Sequence, residues 1–146
     1  MAITSAICNS FKQEVIQGIH NFTASSGNTF NIALYTSSAT LNKSTTAYSS
    51  SNEISNTSGS AYSAKGAALT SVTPALSTDT AVCDFNDVSF TSATFTANGA
   101  LIFNDSASGD PAVCAIAFGA DKTVTSGTFT IQFPTADASN AIIRIA

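Results

Sequence analysis

The sequence predicts a mainly β protein, an antiparallel β-sandwich or small barrel of jelly-roll-like kind, with one N-terminal α-helix. Three observations lead there. Short apolar runs with alternating polar residues recur along most of the chain, turn-forming residues separate them, and only one early stretch has helical periodicity. That stretch is "SFKQEVIQGIHNF". Ser10 and Gln13 have the spacing of a capping box, while Phe11, Val15, Ile19 and Phe22 form one apolar stripe with Ile16 beside it. Gly18 inside the stripe costs up to about 1 kcal/mol relative to alanine, which points to close approach of another backbone. "TASSGN" supplies the stop. Ahead of the helix lies a short arm, and arm and helix together span residues 1 to about 22.

The pattern then turns to β. In "TFNIALYT", Phe30, Ile32 and Leu34 alternate with Asn31, Ala33 and Tyr35, as in a strand with one face in a core. Residues 36 to 60 form a long Ser/Thr/Asn segment in which Leu41, Tyr48 and Ile54 stand out, and a segment of that length without periodicity reads as a functional loop or a disordered one. Strands follow at 67–72, 81–85, 88–90, 94–96, 100–103, 112–118, 128–133 and 142–145, with "NGA", "NDSASGDP", "TSG" and "PTADASN" as turns between them. "GTFTIQFP" alternates most cleanly and stops at Pro134.

A length of 146 residues fits a single domain, 1–146, able to bury roughly 68–70% of its unfolded surface. Hydrophobic residues make up 44% of the chain and charged residues only 10%, so the surface must be mostly neutral. The net charge is −4, and the five basic residues are scattered, which excludes a nucleic-acid partner on phosphate chemistry. Cys8, Cys83 and Cys114 are odd in number, lack a C-x-x-C pair and sit among apolar residues, so buried free thiols are expected. The N-terminus lacks signal-peptide character and no run approaches a membrane span, so synthesis in the cytoplasm without membrane contact is expected.

Catalysis would have to use His20, the one histidine. Its place at the border of the apolar stripe reads as structural, and neither a phosphate loop nor a zinc motif is present, so a non-enzyme without cofactor or metal is expected. Asp84 and Asp87 flank a turn, and Asp105 and Asp110 bracket another. Calcium ligation there ranks behind ordinary turn capping. The interface candidates are Ile3 and Ile7 of the arm and the aromatics Tyr35 and Tyr48 in or beside the hydroxyl-rich segment, tyrosine being favoured where an apolar body meets a polar rim.

The passages "FKQEVIQGIHNF", "TFNIALYTSSATLNKSTTAY", "NEISNTSGSAYSAKGAAL", "SATFTANGALIFND", "AIAFGADKTVTSGTFTIQFP" and "AIIRIA" resemble a family of small virion proteins of tailed bacteriophages of marine and cyanobacterial type. The resemblance implies a non-enzymatic structural subunit located in the virion. Its partners would be the major capsid protein, further copies of itself, or both. A capsid decoration or cement protein that stabilises the head is the first expectation. A tail, baseplate or fibre-associated subunit is the second, and a host-surface carbohydrate-binding β-sandwich module, outside that class, the third. The absence of tryptophan weakens the last, since sugar sites need an aromatic platform.

Overall fold

The computed structural model describes residues 2–55 and 61–146. Among them are β1 (Ala6–Ile7), α1 (Asn9–Ile16), β2 (Phe30–Tyr35), β3 (Ala67–Ala68), β4 (Ser71–Ser77), β5 (Thr80–Phe85), β6 (Val88–Asn104), β7 (Ala112–Ile131) and β8 (Ile143–Ile145). They form two antiparallel sheets, in the orders β1-β7-β6-β2-β3 and β4-β5-β8. The fold is a mainly β sandwich with one short N-terminal helix, and its sheets remain open and do not close into a barrel.

The helix is shorter than its stripe suggests. It begins after Cys8, so Ser10 lies inside it, the capping box does not form, and the first turn is held instead by the Asn9 N–H donating to the Lys43 carbonyl at 2.8 Å. It ends at Gln17, where Gly18 takes φ +74°. The Gly18 N–H donates to Val15 O and the Ile19 N–H to Glu14 O, which is a Schellman closure. Gly18 is therefore a stop signal. Nothing lies within 4 Å of where its Cβ would stand, so the expected backbone approach is absent.

The largest departure concerns strand length. The expected strands 88–90, 94–96 and 100–103 are one strand, β6, and 112–118 and the first four residues of 128–133 both fall in β7, which ends at Ile131. "NGA" and "TSG", read as turns, lie inside these strands at irregularities. Asn98 alone stands opposite residues 118–121, and the register also shifts around Ala93. Ser92 and Ser126 adopt φ +49° and +46° there, with Gly119 at +80°. Bulges absorb turn-forming residues without ending a strand when the partner strand carries matching irregularities. β4 accommodates Pro74 in the same way, at a register shift between Val72 and Ala75 on a sheet edge.

Two aromatic groups pack in the core. Phe22 lies flat on Phe30 with centroids 4.2 Å apart, and Phe11 and Phe85 close around the pair. Further along, Tyr62 meets Phe90 and Phe95, and Phe95 meets Phe129. No described helix is long and apolar enough to cross a membrane.

One buried carboxyl has no countercharge among the described residues. Asp84 is 1% exposed, its Oδ1 accepts the Phe85 N–H at 2.9 Å, and its Oδ2 makes no close hydrogen bond among the described residues. Desolvation holds its pKa above the ordinary carboxylate value, backbone N–H groups of Phe85 and Ile142 oppose this, and Asp87 adds to it. With the folded pKa raised, the protonated form favours the fold. The penalty is absent below the unfolded-chain pKa and grows as pH rises toward and through the folded value. Asp84→Asn is expected to flatten this dependence, so that its urea midpoint relative to wild type improves steadily from acid to neutral pH. A constant difference would show that Asp84 does not carry the charge.

Candidate functional site

The four residues singled out for contact work within the domain. Ile3 makes a parallel bridge with Leu41, backed by Thr4 N–H to Leu41 O and Leu41 N–H to Ala2 O, and its side chain lies over Gly99. Ile7 pairs with Cys114 as part of β1, and both isoleucines pack on the core. The arm is thus an edge strand of the five-stranded sheet. Deleting residues 1–8 removes this strand and the buried Cys8, and is expected to lower the urea midpoint of the isolated chain. An unchanged midpoint would restore the picture of a free arm.

Tyr35 is 1% exposed, and its hydroxyl donates to Ser49 O at 2.7 Å. This corrects its reading as a surface aromatic, because every side chain from Ile32 to Tyr35 on β2 is buried. β2 lies between β3 and β6 and is covered on both faces, so alternation does not mark an outside face here. Tyr48 is half-buried. It stacks on Phe103 at 4.7 Å and donates to Glu53 Oε2 at 2.6 Å.

The hydroxyl-rich segment is organised as far as it is described, through residue 55; the expected loop also included 56–60, which lie outside the described residues. Thr36 N–H donates to Asn52 O and Ile54 N–H to Leu34 O, while Ala47 bridges to Pro111. Ala39, Leu41 and Ile54 are buried. The short polar side chains bend the chain between these anchors. Asn42 Oδ1 accepts the Ser44 N–H, Thr45 Oγ1 accepts the Asn42 N–H, and Ser49 Oγ accepts the Ser51 N–H. The segment is a wrap over the sheet, and much of its hydroxyl content serves its own turns.

Glu53 anchors this wrap and was not found by sequence reasoning. Its carboxylate accepts from Tyr48 OH, Tyr62 OH at 2.7 Å and the Lys65 N–H at 2.8 Å. Tyr62 OH in turn accepts the Leu34 N–H at 2.8 Å. Burial, followed by the bond to Glu53, pushes the Tyr48 phenol up to about 12. A lone glutamate among serines gave no pattern to find it by.

The groups with chemical potential are engaged similarly. His20 Nε2 lies 2.7 Å from Glu14 Oε2, and Asn104 Nδ2 meets Nδ1 at 3.2 Å. The amide donates to Nδ1, so the neutral ring carries its proton on Nε2 toward Glu14. Both nitrogens are thereby taken, leaving none to activate a serine or cysteine. Asp105 and Asp110, the candidate calcium ligands, hold the Lys65 ammonium at 2.7 and 2.9 Å. The described residues contain no group of three or more His, Cys, Asp or Glu placed to hold a metal. The three cysteines are buried and free of disulfides, and desolvation pushes Cys8 up to about 11 and Cys83 to about 12.

What remains toward solvent on the long β6–β7 ribbon is a ladder of neutral pairs. Ser89 and Thr130 hydroxyls meet at 2.8 Å, as do those of Thr96 and Thr123, and the Ser126 N–H donates to Thr94 Oγ1. Beside this ladder the Asn98 amide donates to the exposed Asp121 carboxylate at 2.8 Å, which adds a charge to the face. The paired hydroxyls belong to cross-strand neighbours and satisfy one another. The hydroxyl pairs therefore need no charged partner, and Asp121 is the exception. Comparison with known proteins finds no family model, curated protein or solved structure that matches this chain.

Proposed function

We propose that the chain is a non-enzymatic structural subunit of a tailed-phage virion, a decoration or cement protein bound on the major coat protein lattice. The observation that carries this reading is the exposed β6–β7 face with its self-paired hydroxyls, read together with the engagement of His20, the three cysteines and the Asp105–Asp110 pair inside the fold. A lattice subunit makes repeated, lasting contacts. Everywhere but at Asp121, a face built mainly of self-paired hydroxyls can be covered without burying an unpaired charge, a burial that would otherwise oppose association. Attachment to a glycan is less well served, because Tyr35 and Tyr62 are buried and Tyr48 is stacked within the domain.

Cryo-electron microscopy of purified particles tests the reading. Density for this sandwich on the capsid exterior at local symmetry axes is the expected result. Density confined to tail or neck would transfer the subunit there, and absence from particles would overturn the structural reading.

A further inference from the structure

One buried amide dictates where the proton of the neighbouring imidazole sits. Asn104, the last residue of β6, is fully buried, and its Oδ1 accepts the Ser106 N–H at 3.0 Å. That bond sets the sense of the amide. Its Nδ2 then faces three acceptors, Ile19 O at 3.3 Å, Asn28 Oδ1 at 3.1 Å and His20 Nδ1 at 3.2 Å. Asn28 Oδ1 is itself fixed as an acceptor, because it also takes the Asn21 N–H at 2.8 Å. Turning Asn104 over would set its oxygen against Ile19 O and Asn28 Oδ1, and its NH2 against the Ser106 N–H. One arrangement of protons satisfies the cluster, and in it His20 Nδ1 is bare.

The cluster gathers a segment of chain. Residues 19–29 carry the path from α1 to β2, and Asn104 binds Ile19 and Asn28 of that segment, while the Asn28 N–H returns to Asn21 O at 2.8 Å. His20 lies among Phe11, Phe22 and Phe30 with its side chain shut off from solvent, so water cannot serve Nδ1 in place of the amide. From α1 the ring meets the Glu14 carboxylate, 2.7 Å from Nε2, and Lys12 on the same helix is turned to Asn9 Oδ1. Cys8, which also senses Glu14, is a thiol pushed up to about 11 and keeps its proton. From β6 the ring meets Asn104, and the adjacent Asp105 holds Lys65. β2 contributes Phe30, and residues 21–29 contain no titratable side chain.

We infer that His20 and Asn104 form a proton-operated latch on the 19–29 segment. A second proton on the ring sets Nδ1–H against the Asn104 NH2, and Asn104 Oδ1, which could accept it, is held by Ser106. A buried donor without an acceptor is costly, the more so when it is charged. Nε2–H keeps its carboxylate throughout, and that bond becomes an ion pair. The ring therefore stays with Glu14 on α1 and parts from Asn104, and the bonds that gather Ile19, Asn21 and Asn28 around the amide loosen. One contact tightens as the other fails, so the change is confined to the segment. Acid opens the latch and neutral pH closes it. The inference stands on this cluster alone, whether or not the chain belongs to a particle.

Nuclear magnetic resonance of the full chain tests it, reading the His20 ring nitrogens and amide protection factors together. At pH 7.5 the ring proton is expected on Nε2, with Nδ1 bare. From there to pH 5.0, a span that brackets the ordinary histidine value of about 6.5, the ring should gain its second proton. The protection factors of Asn21, Asn28 and Ser106 should fall with it at least roughly threefold. Those of Ala33 and Leu101, paired across β2 and β6, should hold. His20→Gln, whose side chain takes up no proton, should keep the protection of Asn28 and Ser106 constant across the same span. A proton on Nδ1 at pH 7.5, a ring that takes no second proton by pH 5.0, or protection that stays level while the ring titrates overturns the latch. Those three outcomes are read on the wild-type chain, so they decide even where the glutamine variant fails to fold. Loss of the same protection in folded His20→Gln would place the acid response elsewhere and overturn it too.

Discussion

Gly66→Ala is expected to lower the melting temperature by roughly 10 °C. Gly66 has φ +67° and leads directly into β3, which pairs with β2 at Ile32 and Asn31. A Cβ there would overlap the Ile32 carbonyl oxygen and come within 2.7 Å of the Ile32 carbonyl carbon and 2.9 Å of Ala33 Cα. These are backbone atoms of two fully buried residues, so no side chain can rotate away. The left-handed conformation costs an L-residue about 1–2 kcal/mol, and forced repacking about 1–3 kcal/mol more. Gly18→Ala isolates the first cost, since Gly18 shares the positive φ but faces open space. Thermal melts of the two variants should therefore differ by several degrees. Equal melting temperatures would show that the β2–β3 contact yields and that the overlap is relieved cheaply.

Glu53→Ala is expected to destabilise the domain by about 3 kcal/mol, since it removes the carboxylate that accepts from the buried Tyr62 hydroxyl and from the Lys65 N–H together. Tyr48, being half-buried, can turn to water. The loss should appear in the urea midpoint and as faster amide exchange at Ile54 and Lys65, the two ends of the wrap's attachment. A second readout is independent of stability. Removing the carboxylate removes one of the causes that raise the Tyr48 phenol, so its ultraviolet titration should move below its raised value of about 12. Desolvation, the larger cause, remains, so the phenol should stay above the ordinary tyrosine value. A variant that melts like wild type and titrates unchanged would remove Glu53 from its anchoring role.

The β class, β2, β5 and the early helix are legible because each rests on a local pattern. Phe30, Ile32 and Leu34 alternate, and Phe11 and Val15 share a helical face, whatever the rest of the chain does. The continuity of β6 and β7 is not legible. "NGA" and "TSG" carry turn chemistry, and their conversion into bulges depends on which residues of the opposite strand face them. Tyr35 and Tyr48 show the same limit for the interface. Both were chosen for residue type and position, and the fold buries one and stacks the other. The His20–Asn104 contact had no signature either, since its members are 84 positions apart by number.

By itself the sequence determined a charge-poor, mainly β chain with buried thiols, one early helix, and polar turns such as "NDSASGDP" and "PTADASN". Those properties follow from composition and from contacts within a few residues. Only the tertiary structure decided that the hydroxyl-rich segment wraps the sheet, that Glu53 holds it there, that Gly18 closes the helix, and which apolar side chains stay outside. Each of these is settled by pairing across long stretches of chain. Burial and hydrogen bonding of one residue then depend on what a distant strand places opposite it.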